Sequence, residues 1–205
     1  MRRFERTPTV RTLVVLVLAA ACGSASMGGG IAGTSSVTAP ITGFGSIFVG
    51  GIEFDTSRAQ ITIEGDPASA ADLRLGMVAM VRGVVDRNGR TGTAARVAVE
   101  HLVEGPVEGL DVAAKTLRVL GQEILVDTTT VFEPTAPANL TLGDFVEVGG
   151  FFDASGRIRA TRVEHKTADL GIAVKGYVRG LDVQAQTFRL GGLTVNFASA
   201  LVTTP

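Results

Sequence analysis

One pattern of turns and apolar residues is written into this chain about two and a half times, and that repetition constrains the fold more than any single residue does. Residues 71–76, Ala-Asp-Leu-Arg-Leu-Gly, return at 138–143 as Ala-Asn-Leu-Thr-Leu-Gly. Residues 84–90, Val-Val-Asp-Arg-Asn-Gly-Arg, return at 151–157 as Phe-Phe-Asp-Ala-Ser-Gly-Arg, and Gly109-Leu110-Asp111 returns as Gly180-Leu181-Asp182. The matches lie 67, 67 and 71 residues apart, a spacing that gives each copy room for one small domain. What recurs is turn chemistry and apolar spacing.

Within each copy the apolar period is two, the period of a half-buried strand. Ile47, Val49, Ile52 and Phe54 flank Gly50-Gly51, a two-residue turn that needs positive φ. The hairpin recurs around Gly121, from Leu117 to Val126, and around Gly191-Gly192, from Phe188 to Val195. Each ends on Asp55, Asp127 or Asn196, whose side chains are suited to an Asx turn. Residues 67–75 are expected to form one or two helical turns, stopped by Gly76. Val78 to Val85 reads as a strand, turned back by 86–89 with Asp at i and Gly at i+3, and Val97 and Val99 continue the return. The second copy repeats this through 145–148, 153–156 and 158–163.

A unit of roughly five short strands in about 65 residues must close its exposed edges. The expected fold is therefore all-β: tandem small OB-like (Greek-key) β-barrels, each with one short helical turn. A β-sandwich is the alternative. The expected boundaries are 1–21 for a signal peptide, 22–40 for a lipidated Cys and flexible tether, 41–102 and 103–167 for complete repeats, and 168–205 for an incomplete third. The third copy stops after its hairpin, so it is expected to be disordered or to recruit a partner strand.

The N-terminus carries Arg2, Arg3, Arg6 and Arg11, then an apolar run over 13–21, then Cys22, the only cysteine. That run is too short to cross a hydrocarbon core of about 30 Å, and it suits the apolar core of an export signal. Basic region, apolar run, small residues and Cys22 in this order resemble the lipobox of bacterial lipoprotein signal peptides. The resemblance implies acylation of Cys22 and anchoring to the cell envelope, with Gly23 in place of Asp pointing to the outer membrane. Residues 23–39, rich in Gly, Ser, Ala and Thr, read as a tether. Gly28-Gly29-Gly30-Ile31-Ala32-Gly33 matches a dinucleotide fingerprint only formally, since that motif belongs between a strand and a helix N-terminus and neither is readable from the sequence here.

Removing residues 1–21 takes away four Arg and one Glu, which leaves 15 basic and 19 acidic side chains and a net charge of −4. That balance speaks against nucleic acid, which is held by Lys and Arg neutralising phosphates.

The series Gly-x-Val-x-Gly-Leu-Asp at 105–111, Asn-Leu-x-Leu-Gly-x-x-Val-x-Val-x-Gly at 139–150, and Asp-x-x-Gly-Arg-x-x-Ala-x-x-Val-Glu at 153–164 resembles an uncharacterised domain-of-unknown-function family. The resemblance covers 41–205. It implies repeated OB-like β-domains in bacterial exported proteins, often lipoproteins, and implies no activity, substrate, cofactor or catalytic residue.

Chemistry-bearing residues are few. His101 and His165 follow Glu100 and Glu164 at what read as equivalent strand ends. Two histidines do not make up the three or four donors of a metal site, so no metal ligand is assigned, nor any cofactor. Asp86 with Asp153, or Glu104 with Glu108, are the carboxylate pairs an enzyme would use, and turn or solvated-strand duty explains them better. Arg157, Arg159 and Arg162 cluster on one strand, with Arg90 and Arg96 in the matching region of the first copy; they are the candidate ligand-binding residues. The expected function is that of a non-enzymatic, lipid-anchored envelope protein, a structural or protein-interaction module. A binding module for an anionic glycan is the alternative, and an enzyme with paired carboxylates ranks third. Its partners are expected to be the membrane, through Cys22, and an envelope protein or glycan.

Overall fold

The computed structural model describes residues 13–17, 34–134, 139–167 and 171–201. Cys22 and most of the tether lie outside the described residues. The first strand, β1 (Leu13–Val17), falls in the apolar run of the N-terminus.

Unit 1 comprises β2 (Thr34–Gly43), β3 (Ile47–Val49), β4 (Ile52–Asp55), β5 (Gln60–Ile63), β6 (Asp66–Ala68), a single 3-10 turn (Ala70–Asp72), β7 (Val78–Val85) and β8 (Thr91–Val99). Strand β2 is shared: residues 34–40 pair with β7 and 41–43 with β3. β3 pairs β4, β4 runs parallel to β8, and β8 pairs β7. The ring is closed in the order 1-2-3-5-4-1 with a parallel contact between its third and fifth strands, which is the OB arrangement. Unit 2 repeats it with β9 (Val103–Asp111), β10 (Thr116–Val119), β11 (Gln122–Leu125), β12 (Val131–Glu133), β13 (Phe145–Phe152) and β14 (Ile158–Lys166). Here β11 and β14 supply the parallel closure, and β13 joins β9 to β14. The protein is all-β with two tandem five-stranded barrels.

Turn chemistry sets the strand ends as the residues dictate. Gly50 and Gly51 both take positive φ, +61° and +79°, the geometry whose twist matches that of the flanking strands. In unit 2 the same turn forces Leu120 to φ +46° beside Gly121. Asp55, Asp127 and Asn196 each accept a bond from the amide two residues on, at 2.8–2.9 Å. The amides of Gly89 and Gly156 donate to the carbonyls of Asp86 and Asp153.

Three boundaries differ from the sequence reading. Barrel 1 begins at Thr34, so residues 34–40 belong to a strand and not to the tether. Pro67 and Ala68 lie in β6, not in a helix: Glu64 and Gly65, both at positive φ, fold β6 back on β5. Only 70–72 coil, held by the Asp72 carboxylate accepting from the Ser69 amide and hydroxyl.

The third difference concerns unit 3. Its opening strand breaks at Tyr177 into β15 (Ile172–Gly176) and β16 (Val178–Asp182), followed by β17 (Thr187–Leu190) and β18 (Leu193–Asn196). β15 pairs β9 of unit 2, and β1 lies parallel along its other side. Strands β16–β17–β18 form a separate sheet. That sheet is ordered against unit 2, contrary to the expectation of disorder, because it shares unit 2's core. Val174 and Leu190 are fully buried there and Val195 nearly so. The Gly192 amide donates to the Gly121 carbonyl, and Gln122 Nε2 to the Leu190 carbonyl at 2.7 Å.

Both barrels carry the same irregularity where strands four and five pair. In unit 1 Arg82 faces Arg96 and Gly83 faces Ala94, so Ala95 is extra. In unit 2 Gly149 faces Arg162 and Gly150 faces Ala160, so Thr161 is extra. The bulge bends the strand and shifts its inward phase, which is why Ala and Val recur three apart at 94 and 97 and again at 160 and 163. A Cβ on Gly83 would run into the Thr93 carbonyl, and one on Gly150 into the Arg159 carbonyl. Gly149, one residue away, has only Thr161 Oγ1 at 4.0 Å. Gly150→Ala is therefore expected to lower stability by about 1–3 kcal/mol, the usual cost of overpacking. Gly149→Ala should stay within about 0.5 kcal/mol. Urea denaturation midpoints of the two variants check this.

Candidate functional site

The polar chemistry of the molecule gathers where the two barrels meet. Alternation on β13 sends Val146 and Val148 into the barrel and Glu147 outward. Register places Glu147 directly opposite Glu104 on β9 and Glu164 on β14, so three carboxylates stand in a row across three strands. Like charges in such pairs are destabilising, and unit 1 covers this row.

The link between β8 and β9 carries His101 onto it. The Leu102 amide donates to the Val148 carbonyl, and the Lys175 amide donates to Leu102, both at 2.8 Å. The His101 amide donates to Glu64 Oε1 at 2.6 Å; Glu64 stands in the β5–β6 turn. The imidazole is 6% exposed. Its Nδ1 lies 3.1 Å from Glu64 Oε1 and 3.7 Å from Glu147 Oε1, and its Nε2 lies 3.5 Å from Glu104 Oε2. Neither nitrogen meets an acceptor with hydrogen-bond geometry among the described residues.

Two ammonium groups hold the carboxylates from outside. Lys175 Nζ reaches Glu64 Oε2 at 2.7 Å and Glu100 Oε2 at 3.4 Å. Lys166 Nζ reaches Glu147 Oε2 at 3.0 Å and Glu164 Oε1 at 2.9 Å. Burial opposes the charge on Glu64, but the close side-chain contact and charge of His101, the Lys175 ammonium and the His101 amide outweigh it and hold the carboxyl at about 2. Glu104 is raised instead: burial dominates, and Glu147 and Glu64 add repulsion against the pull of His101. Burial also opposes the charge of Lys166, whose pKa Glu164 and Glu147 nevertheless raise.

Arg162 completes the joint. It is 3% exposed, donates to the Leu75 carbonyl of unit 1, and pairs with Glu133 at 2.7 Å and Glu164 at 3.0 Å. Thr161 Oγ1 donates to the Gly76 carbonyl at 2.7 Å.

The candidate arginines of the sequence reading are thus split. Arg162 is buried and fixes the joint, because the bulge turns it toward unit 1. Arg157 remains near the surface, paired with Asp153 and Glu123, and Arg159 with Asp127. Arg90 and Arg96 are exposed on unit 1. Arg96 stands opposite Arg82, also exposed, and neither has an ion-pair partner among the described residues. The histidines are not equivalent: pairing aligns His165 with Val99, since each faces the matching residue, Val146 or Ala79. His165 lies on β14, 4.0 Å from Asp144. The carboxylate pairs also part. Asp86 and Asp153 cap turns, Glu108 accepts from the Gly121 amide, and Glu104 joins His101. Glu64, Glu147 and Lys175 carry no local signal in the sequence, and Glu104 belongs with His101 rather than with Glu108. Glu104 falls three residues after His101, but its neighbour Glu147 is set by strand register alone.

Replacing Arg162 with Met leaves Glu133, Glu164 and the Leu75 carbonyl without their donor. The expected loss is about 2–3 kcal/mol, below the usual figure for a broken buried pair because Glu133 stays half in solvent. Arg96→Met, at the equivalent exposed position, should cost within about 0.5 kcal/mol. Burial works against the Glu164 charge, yet Lys166 and Arg162 hold its carboxyl below the ordinary 4.5. Its contribution is therefore full above that value and drains as pH falls toward the folded-state pKa. The stability gap between wild type and Arg162→Met should narrow over that acid range. Urea titrations from neutral pH downward check both effects.

No curated protein and no solved structure matches the chain. A family model, the domain of unknown function DUF5666, matches twice, over residues 35–98 and 104–164. The two matches coincide with the two barrels, and the chain belongs to the DUF5666 family.

Proposed function

We propose that this chain is a non-enzymatic, lipid-anchored envelope protein that works as a protein-interaction module. The observation that carries the reading is one turn found in two states. In unit 1 the Gly76 amide bonds to the Ile41 carbonyl, and in unit 2 the Gly143 amide bonds to the Val107 carbonyl, both at 2.9 Å. Both glycines take positive φ, +80° and +90°. The first turn is docked: its carbonyls accept from Thr161 and Arg162, and a Cβ on Gly76 would lie 2.6 Å from the Thr161 carbonyl. Among the described residues nothing covers the second turn: Leu142 is 69% exposed, and nothing lies within 4 Å of a Cβ on Gly143. The partner that fits it is a protein strand offering hydroxyl and guanidinium donors at a bulge, as β14 does. A strand edge adds to the reading: cleavage before Cys22 would take β1 away from β15.

Anchoring rests on the order of basic residues, apolar run, small residues and Cys22. Cys22→Ser is expected to move the protein from the membrane to the soluble fraction and to abolish incorporation of labelled fatty acid. Unchanged fractionation would refute the anchor. For the interaction itself, cross-linked partners captured from intact envelopes should survive high salt and be lost in Leu142→Glu. That position is exposed, so the thermal midpoint should not move. Capture undiminished in this variant would refute the docking turn.

A second reading, binding of an anionic glycan, is favoured by Arg82 and Arg96 facing each other unpaired across β7 and β8. It requires salt-sensitive retention on a sulfated or phosphorylated glycan that Arg82→Ser with Arg96→Ser abolishes.

A further inference from the structure

We propose that His101, Glu104 and Glu147 form a binding site for one divalent transition-metal ion, Zn²⁺ by donor chemistry, at the joint between the barrels. Their ligating atoms lie within 4.8 Å of one another. A tetrahedral ion with bonds of about 2.1 Å separates its donors by about 3.4 Å, and the gap between His101 Nε2 and Glu104 Oε2 is 3.5 Å.

His101 supplies an independent reason. Its ring is nine-tenths buried, aimed into the carboxylates, and has no hydrogen-bond partner at either nitrogen among the described residues. Buried polar atoms in folded proteins nearly always have one. A metal ion on Nε2, the nitrogen that Glu104 faces, satisfies it and leaves Nδ1 to Glu64 at 3.1 Å. A carboxylate behind the imidazole of a metal-ligating histidine is the usual device for fixing ring and tautomer.

Strand register supplies the negative charge. Glu104 and Glu147 stand directly opposite on β9 and β13, an arrangement that calls for a cation between them. Lys166 fills that role only in part: it bonds Glu147 Oε2 and Glu164, and only its charge reaches Glu104. Glu147 Oε1 is left toward His101, 3.7 Å from Nδ1, and a turn of its side chain brings it to an ion on Nε2. Lys175 likewise engages Glu64 and Glu100 and not the Glu104–Glu147 pair. Both ammonium groups thus orient carboxylates from outside the site. One imidazole with two carboxylates, and a fourth position open to water, suits Zn²⁺. Ca²⁺ and Mg²⁺ prefer all-oxygen sets. Since the ligands come from the link following unit 1 and from two strands of unit 2, bound metal would fasten the link onto barrel 2.

The test uses the full chain without a histidine tag, stripped with a chelator and titrated with Zn²⁺. We expect one ion per chain after dialysis, read by elemental analysis. Saturation should raise the thermal midpoint by roughly 5 °C or more, since a ligand that binds only the folded state stabilises it. Glu104→Gln and Glu147→Gln, near-isosteric changes whose folding is checked by circular dichroism, should each weaken binding at least 10-fold. His101→Gln should abolish it, and Cys22→Ser with His165→Gln should leave it unchanged. Zinc binding that survives both glutamate substitutions overturns the site. So does a midpoint indifferent to Zn²⁺ but raised by Glu104→Gln, which would mark a protonated imidazole held among carboxylates.

Discussion

Closure of each barrel by a parallel contact between its third and fifth strands is the constraint from which the rest of the structure descends. Five strands can meet edge to edge only if the fifth bends sharply, and the bend is made by one extra residue, Ala95 in unit 1 and Thr161 in unit 2. The partner strand must be glycine there, because carbonyls occupy the space of a Cβ at Gly83 and Gly150. The same bend turns Thr161 and Arg162 away from the barrel, where they donate to the Gly76 and Leu75 carbonyls of the other unit. Curvature demanded by one domain thus creates the contact between two.

That contact is ionic where an apolar one would have been less costly. Arg162 and Lys175 are almost wholly buried, and charges withdrawn from water gain little net stability even when well paired. What such groups contribute is discrimination: a joint rotated by one residue would leave several of them unpaired at once. Gly76 adds shape to charge, since a Cβ there would strike the Thr161 carbonyl and crowd Val131 and Arg162. The joint therefore fixes one relative placement of the barrels, whose apolar cores stay separate, that of unit 2 being shared with unit 3.

Local turn chemistry is what the sequence made legible. The Gly50-Gly51 hairpin, the three Asx turns and the paired Asp-x-x-Gly turns depend on residues no more than three apart, and each forms as its residues require. Closure into OB barrels followed from counting strands against unit length. Misreadings arose where pairing outweighed propensity. Pro67 and Ala68 look helical among alanines, yet the Glu64-Gly65 turn commits them to β6, at a sheet edge where proline's missing donor costs nothing. The histidines misled for the same reason: Glu-His at 100–101 and 164–165 reads as a repeated motif 64 residues apart, whereas equivalent positions of these paired strands lie 66 apart, so His165 is set against Val99. The joint itself was hidden, because Glu147 meets Glu104 through strand register and Lys175 meets Glu64 across more than a hundred residues.

Comparing the copies position by position recovers part of what single-residue reading missed. Where the repeats agree, at Gly83 and Gly150, Ala94 and Ala160, or Val97 and Val163, the residues serve closure, which both barrels need alike. At three positions where they disagree in these strands, the second copy carries the more polar or more highly charged group. Thr161 stands for Ala95, Glu164 for Ala98 and Glu133 for Thr62, around arginines at 96 and 162 that are themselves equivalent. Arg162 is buried and paired in this setting; Arg96, lacking the carboxylates, stays in solvent. One guanidinium in one fold position thus serves either as a structural tie or as a surface charge, depending on two neighbouring side chains and on whether another unit's turn covers it. In a tandem protein, differences between copies mark the surfaces where one copy meets another.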